Sequence, residues 1–146
     1  DDVLVVPAII PDVTILHGFQ ADSRGNILVE RTSDIDLAIY ASRTVIATVE
    51  EVVLEDALQP NARHELISGI HVDAVAVVPW GAHPTSCPGR YEMDENHISL
   101  YLRAADNDET FQQYLDQYVF SLSDHQEYCL HICGGPGEER AERGNP

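Results

Sequence analysis

The chain has 146 residues, enough for one compact domain of ordinary size, and 44% of them are apolar, so a packed core can form and global disorder is excluded. Eight Arg, no Lys and 25 Asp plus Glu leave a formal net charge of −17, a surface that repels a phosphate backbone and so excludes nucleic acid as a partner. No run of about 18 apolar residues is present to span a membrane, and the acidic opening Asp1-Asp2 predicts no cleaved secretory signal, hence a cytoplasmic protein with no membrane partner.

Val3 to Val6 is a β-branched run closed by Pro7, and Asp12 to His17 repeats that composition over a length typical of a strand. Asp22-Ser23-Arg24-Gly25-Asn26 reads as a turn, because Gly and Asn accept positive φ and an Asp side chain can bond its own backbone. Ile27-Leu28-Val29 leaves that turn as another short strand. Ser33 or Asp34 is placed to cap a helix carrying Leu37, Ile39, Tyr40 and Ala41. Arg43 to Val49 reads as a buried strand, and residues 55–69 as irregular, with Pro60, Asn61 and Gly69 as breakers. Val72 to Val78 is apolar nearly throughout, as a parallel strand covered on both faces would be. Such strands, separated by helix or long loop, predict an α/β layered sheet.

Pro79 to Gly89 follows as a Pro-rich loop holding His83 and Ser86. Ligands of open α/β sheets gather beyond the carboxyl ends of strands, so this is either a binding loop or a connection that packs Trp80. From Asp94 the period turns helical. Asn107 or Asp108 opens a helix with Phe111, Tyr114, Leu115, Tyr118 and Val119 on one stripe, a pattern of core or interface packing. Asp124-His125-Gln126-Glu127 has the form of a capping box for a last helix near Tyr128, and Gly134 to Pro146 reads as a flexible tail.

The titratable residues do not by themselves establish a reaction. Three cysteines without a secretion signal argue for thiols over a disulfide framework. His125, Cys129 and Cys133 fall at i, i+4, i+8, a spacing able to present metal ligands, but there is no loop-borne CxxC pair and buried Cys is common, so no metal is expected. His83 and Ser86 lack the G-x-S-x-G elbow of a hydrolase, and no P-loop or G-x-G-x-x-G occurs. Of Glu50 and Glu51, neighbours on an extended chain, at most one can face a given site. His17 on its apolar strand reads as a satisfied core or cleft residue. The acidic, Lys-free composition suits concentrated salt, where carboxylate self-repulsion is screened; a coding bias toward Arg would give the same count.

The run Pro11 to Asn26, PDVTILHGFQADSRGN, resembles the A (alpha) subunit of the family I coenzyme A transferases, whose members carry a strand like PDVAIIHA followed by ADxxGN. Ala47 to Val53 is similar to the family's AEVEEIV, and Ser68 to Asp73 to its TPGIFVD. Gly81 to Ser86, Tyr91, Tyr118 to Phe120 and Asp124 to Tyr128 resemble most the glutaconate CoA-transferase branch, shared with members acting on ring-cleavage products of steroid degradation. The resemblance runs from about residue 3 to about residue 130 and lacks both the A subunit's glycine-rich GGF half and the Ser-Glu-Asn-Gly motif of the B subunit. It therefore marks residues 1–133 as the carboxyl-terminal part of an A-subunit domain, with 134–146 as the tail.

The resemblance implies a Rossmann-like open sheet of the kind shared with sugar-phosphate isomerases, mostly parallel, with flanking and carboxyl-terminal helices. It implies pairing with a B subunit whose Glu attacks the acyl-CoA, passing through an acyl–carboxylate anhydride to a glutamyl-CoA thioester. The substrates would be a coenzyme A thioester and a carboxylic acid, with no permanently bound cofactor. In this chain Asp22, Gly25, Asn26, His83 and Ser86 would shape the substrate pocket or the subunit interface, and none would be catalytic. Two alternatives share the scaffold: a non-catalytic interaction module, and a subunit of a hydrolase that cleaves a ring of a cyclic CoA thioester.

Overall fold

The computed structural model describes residues 4–31 and 34–133; Val3, Ser33 and the expected tail 134–146 lie outside them. The described residues fold as two compact units that divide between Gly81 and Ala82.

The first unit is built on a five-stranded sheet: β1 (Val13–Ala21), β2 (Ile27–Glu30), β3 (Thr44–Val52), β4 (His64–Ile67) and β5 (Ala74–Val77), in the order β4-β2-β1-β3-β5. β1, β3 and β5 pair in parallel, while β2 pairs antiparallel with β1 and with β4, so every strand except β2 runs the same way. This is the mostly parallel open sheet expected. α1 (Ile35–Ala41) provides the crossover into β3 and buries Ile39. Along β3, Val45, Ala47 and Val49 are buried while Thr44, Ile46, Thr48 and Glu50 are half-buried, the period of two that a pleated strand imposes. The core gathers Leu16, Ala21, Ile27, Val29, Ile39, Val45, Ala47, Val49 and Ile67. Ile27, Val29 and Val49 are its largest fully buried side chains, each stabilising the fold by about 1.5–3 kcal/mol through area removed from water.

Three expectations for this unit need correction. Leu4, Val5 and Val6 form no strand and are exposed, because β-branched composition without a partner ladder does not make one. The irregular stretch 55–69 contains β4, whose register with β2 supplies the hydrogen bonds that its polar His64-Glu65 start does not advertise. The run 72–78 is not covered on both faces: β5 is an edge strand with Ala74, Ala76 and Val77 exposed, and an unbroken apolar run carries no period from which to read this.

The second unit is helical: α2 (Glu95–Ala104), α3 (Asp108–Leu115), a π turn (Asp116–Phe120) and α4 (His125–Cys133). Asp94 caps α2 by accepting from the His97 N–H at 3.0 Å, and Asn107 caps α3 by accepting from the Thr110 N–H at 3.0 Å. Asp124 accepts from the Glu127 N–H at 2.9 Å, but the returning half of the box is displaced by one residue: the Glu127 carboxylate accepts from the N–H and hydroxyl of Ser123, both at 2.7 Å. Those two bonds hold the Glu127 carboxyl below the usual carboxylate range. No helix among the described residues is long and apolar enough to cross a membrane.

Candidate functional site

In the first unit the Asp22–Asn26 turn joins β1 to β2, beyond the carboxyl end of β1. Asp22 Oδ1 accepts from the N–H groups of Arg24 and Asn26, both at 2.9 Å, and Oδ2 accepts from Asn26 Nδ2 at 2.7 Å. Gly25 takes φ of 79°, the left-handed conformation this turn needs. Asn26 Oδ1 accepts from the Gly69 N–H at 2.9 Å, tying the turn to the segment after β4. Burial raises the Asp22 pKa, but the Asn26 and Arg24 hydrogen bonds and the Arg24 charge outweigh it and hold the carboxyl below its ordinary value. Three of the expected site residues thus meet in one place, their polar atoms spent on fixing backbone. An open cleft of about 610 Å³ adjoins this turn, lined by Ser23, Val53, Leu54, Glu55 and Ala57. Glu55 receives the Arg24 guanidinium at 2.8 Å and the Ser23 hydroxyl at 2.9 Å.

A second polar cluster stands where β1 and β3 run side by side, with His17 in register with Thr48. The His17 imidazole meets Thr48 Oγ1 through Nδ1 and Glu50 Oε1 through Nε2, both at 2.8 Å. Glu50 Oε2 accepts from the Trp80 N–H at 2.9 Å. Glu51, one residue on, instead accepts from Gln20 Nε2 at 2.8 Å, so the two carboxylates face opposite ways, as alternation along a strand requires. His17 is a satisfied cleft residue, as its sequence context suggested. The pairing of His17 with this carboxylate and the Trp80 backbone contact had no sequence signal, because strand pairing brings residues 17, 48 and 50 together and the turn after β5 adds residue 80.

In the second unit His83 is the pivot. Its buried imidazole meets the Tyr128 hydroxyl at 2.8 Å through Nδ1 and lies 3.5 Å from Asp94 Oδ2 through Nε2. Both ring nitrogens therefore address a phenol and a carboxylate; Ser86 is half-buried further along the same loop. The His97 ring lies 5.3 Å from that of His83, and its Nε2 meets the Tyr114 hydroxyl at 2.7 Å. Burial lowers the His97 pKa against the raising effect of Asp94, and burial with neighbouring Tyr118 and Tyr101 raises that of Tyr114. Asp94, His97, Tyr118 and His131 line part of a cleft of about 300 Å³. On α4, Cys129 is buried with its sulfur 3.3 Å from His125 Nε2, realising the i, i+4 contact; the Cys133 side chain lies outside the described residues.

The coenzyme A transferase family model matches residues 1–77. The chain belongs to the coenzyme A transferase family. It is 33% identical over 130 residues to the A subunit of glutaconate CoA-transferase from Acidaminococcus fermentans, a match covering 88% of this chain and 40% of that protein. It is 32% identical over 136 residues to the A subunit of 3-oxoadipate CoA-transferase from Pseudomonas knackmussii, covering 92% of this chain and 48% of that protein. The fold matches the crystal structure of glutaconate coenzyme A-transferase from Acidaminococcus fermentans with a TM-score of 0.74 at 31% identity, over 84% of this chain and 39% of that one. The expected family and fold are therefore both found, and the chain spans less than half the length of these relatives.

Proposed function

We propose that these residues are the carboxyl-terminal part of the A subunit of a glutaconate-type CoA transferase, acting with a B subunit that carries the catalytic Glu. The observation that carries this reading is the similarity, across both units of the chain, to the A subunit of glutaconate CoA-transferase. In the proposed reaction the partner's Glu carboxylate attacks the acyl-CoA carbonyl and the CoA thiolate leaves, giving an anhydride. The thiolate then attacks the glutamyl carbonyl, expels the original carboxylate and forms a glutamyl-CoA thioester, which the acceptor carboxylate takes back through the same steps. This chain shapes the pocket or the A–B interface through the Asp22/Gly25/Asn26 turn and the His83/Ser86 loop. The saturation of Asp22 and Asn26 by backbone and mutual bonds supports a shaping role.

The wider setting we propose is cytoplasmic and hetero-oligomeric, with a coenzyme A thioester and a carboxylic acid as substrates and no resident cofactor. The net charge of −17 without Lys supports function in concentrated salt. The test is reconstitution. The chain alone, mixed with an acyl-CoA and a carboxylate acceptor, is expected to be inactive, and the complete A subunit with its B subunit is expected to exchange CoA. Turnover by the chain alone would refute the shaping role. Binding without turnover in the complete assembly would favour an interaction module, and ring-opened product by mass spectrometry would favour a hydrolase.

A further inference from the structure

The exit from β5 is built around a strained aromatic residue. Trp80 takes φ of 63°, a region that a bulky L-residue rarely enters, and its N–H donates to Glu50 Oε2 at 2.9 Å. Gly81 packs directly on the histidine behind that carboxylate: a Cβ there would lie 2.7 Å from His17 Cε1 and 2.7 Å from the Val78 carbonyl oxygen. The turn is closed by the Gly81 N–H donating to the Val78 carbonyl at 3.0 Å, and the strand end is pinned by the Val78 N–H donating to the Val49 carbonyl at 2.8 Å.

The proton arrangement follows from donor counting. A carboxylate only accepts, so His17 Nε2 must carry the hydrogen shared with Glu50 Oε1. In the neutral imidazole, Nδ1 then offers a lone pair to the Thr48 hydroxyl, 2.8 Å away, against 3.4 Å from that hydroxyl to the Leu16 carbonyl. The imidazole is thereby oriented from one side by Thr48 and in turn orients Glu50. Glu50 Oε1 meets the His17 imidazole and Oε2 accepts from the Trp80 N–H, contacts that suit a carboxylate that holds structure.

We infer that Glu50, oriented by His17, is a positioning residue that latches the Trp80–Gly81 turn into the conformation from which the 82–89 loop departs. The inference rests on the proposed function only in assigning that loop to the thioester pocket.

Two substitutions separate the latch from bulk packing. Glu50→Gln keeps an oxygen for the Trp80 N–H but presents an amide N–H2 to His17, so Nε2 must become an acceptor and the proton move to Nδ1, toward Thr48 Oγ1. Glu50→Ala removes both contacts. Nitrogen NMR of the full chain is expected to show the Nε2–H tautomer of His17 in the wild type and the Nδ1–H tautomer in E50Q. Amide exchange is expected to show Trp80 protection lost by about tenfold or more in E50A and largely kept in E50Q, with β1 and β3 amides unchanged. An Nδ1–H tautomer in the wild type, or unchanged Trp80 protection in E50A, overturns the latch. Should E50A not fold, E50Q decides, and an unchanged Nε2–H tautomer there overturns the proposal.

In the assembled transferase, E50A is expected to raise KM for the acyl-CoA about tenfold with kcat within about twofold, and E50Q to recover most of that loss. An intact latch by NMR with unchanged KM would leave the geometry standing and overturn the assignment of the loop to the thioester pocket.

Discussion

In residues 13–78 the fully buried side chains are aliphatic, with Ile27, Val29 and Val49 in a contiguous core, whereas in residues 82–133 the close contacts are between rings and hydroxyls. There Tyr114 meets His97, Tyr128 meets His83, and the Tyr101, Phe111, Tyr114 and Tyr118 rings stand 4.9–6.4 Å from their neighbours. The core of the first unit draws on apolar area, a term blind to pH near neutrality, with its titratable His17–Glu50 pair outside that core. The contacts of the second unit are made mainly by groups that titrate or hydrogen-bond in partly dry surroundings. The difference teaches that one chain can hold a unit with an aliphatic core and a helical unit whose closest contacts include titratable rings.

The largest effect is expected from attacking the sheet. Ile27→Ala leaves a cavity among Gly18, Val29 and Ile67 and should cost about 2–5 kcal/mol in urea unfolding. A loss below about 1 kcal/mol would mean the aliphatic core is not what holds this unit. Next comes the turn. Asp22→Asn should cost about 1–2 kcal/mol at neutral pH, since it weakens charge-assisted bonds to two backbone N–H groups and Asn26. Because the folded Asp22 pKa is lowered, its contribution is complete above the ordinary 3.8 and disappears as the pH falls through the lower folded value. The variant should lack that part of the acid transition, read by urea midpoint against pH.

The contrast between units sharpens with His97. Its folded pKa is lowered from 6.5, so the unfolded chain binds the proton more readily. The stabilising effect of the neutral ring is complete above the unfolded value and is lost as the pH falls below it. The 82–133 melt should therefore drop as the pH falls below 6.5. In His97→Gln, which keeps a partner for Tyr114, the drop should flatten, and an unchanged slope would assign the pH dependence elsewhere. The smallest change is expected from Arg24→Gln, which removes an exposed ion pair with Glu55 and should alter stability by less than about 1 kcal/mol.

How much of this was legible in the sequence differs by region. The Asp22–Asn26 turn, β1, β2, β3 and the caps Asp94-to-His97 and Asn107-to-Thr110 are local, and local chemistry suffices to place the turn and the strands and to mark Asn107 as a helix start. β4 was hidden because its His64-Glu65 start is polar and only its pairing with β2 makes it a strand, and the edge position of β5 because apolar composition does not record what lies over it. At the site, His83 could be singled out by its loop, but Tyr128 and Asp94, 45 and 11 residues away in sequence, become its partners only in the folded helices. The Glu50–Trp80 contact is of the same kind, since parallel strands bring together residues that no short window contains.

The central claim is that this chain shapes a pocket while a partner's carboxylate performs the attack. Its most direct test is to incubate the assembled A and B subunits with acyl-CoA without acceptor, digest, and locate the covalent CoA thioester by mass spectrometry. The adduct is expected on a Glu of the B subunit, with every peptide of residues 1–146 unmodified. A CoA thioester on Glu50, Asp22 or any other carboxylate of this chain would contradict the account.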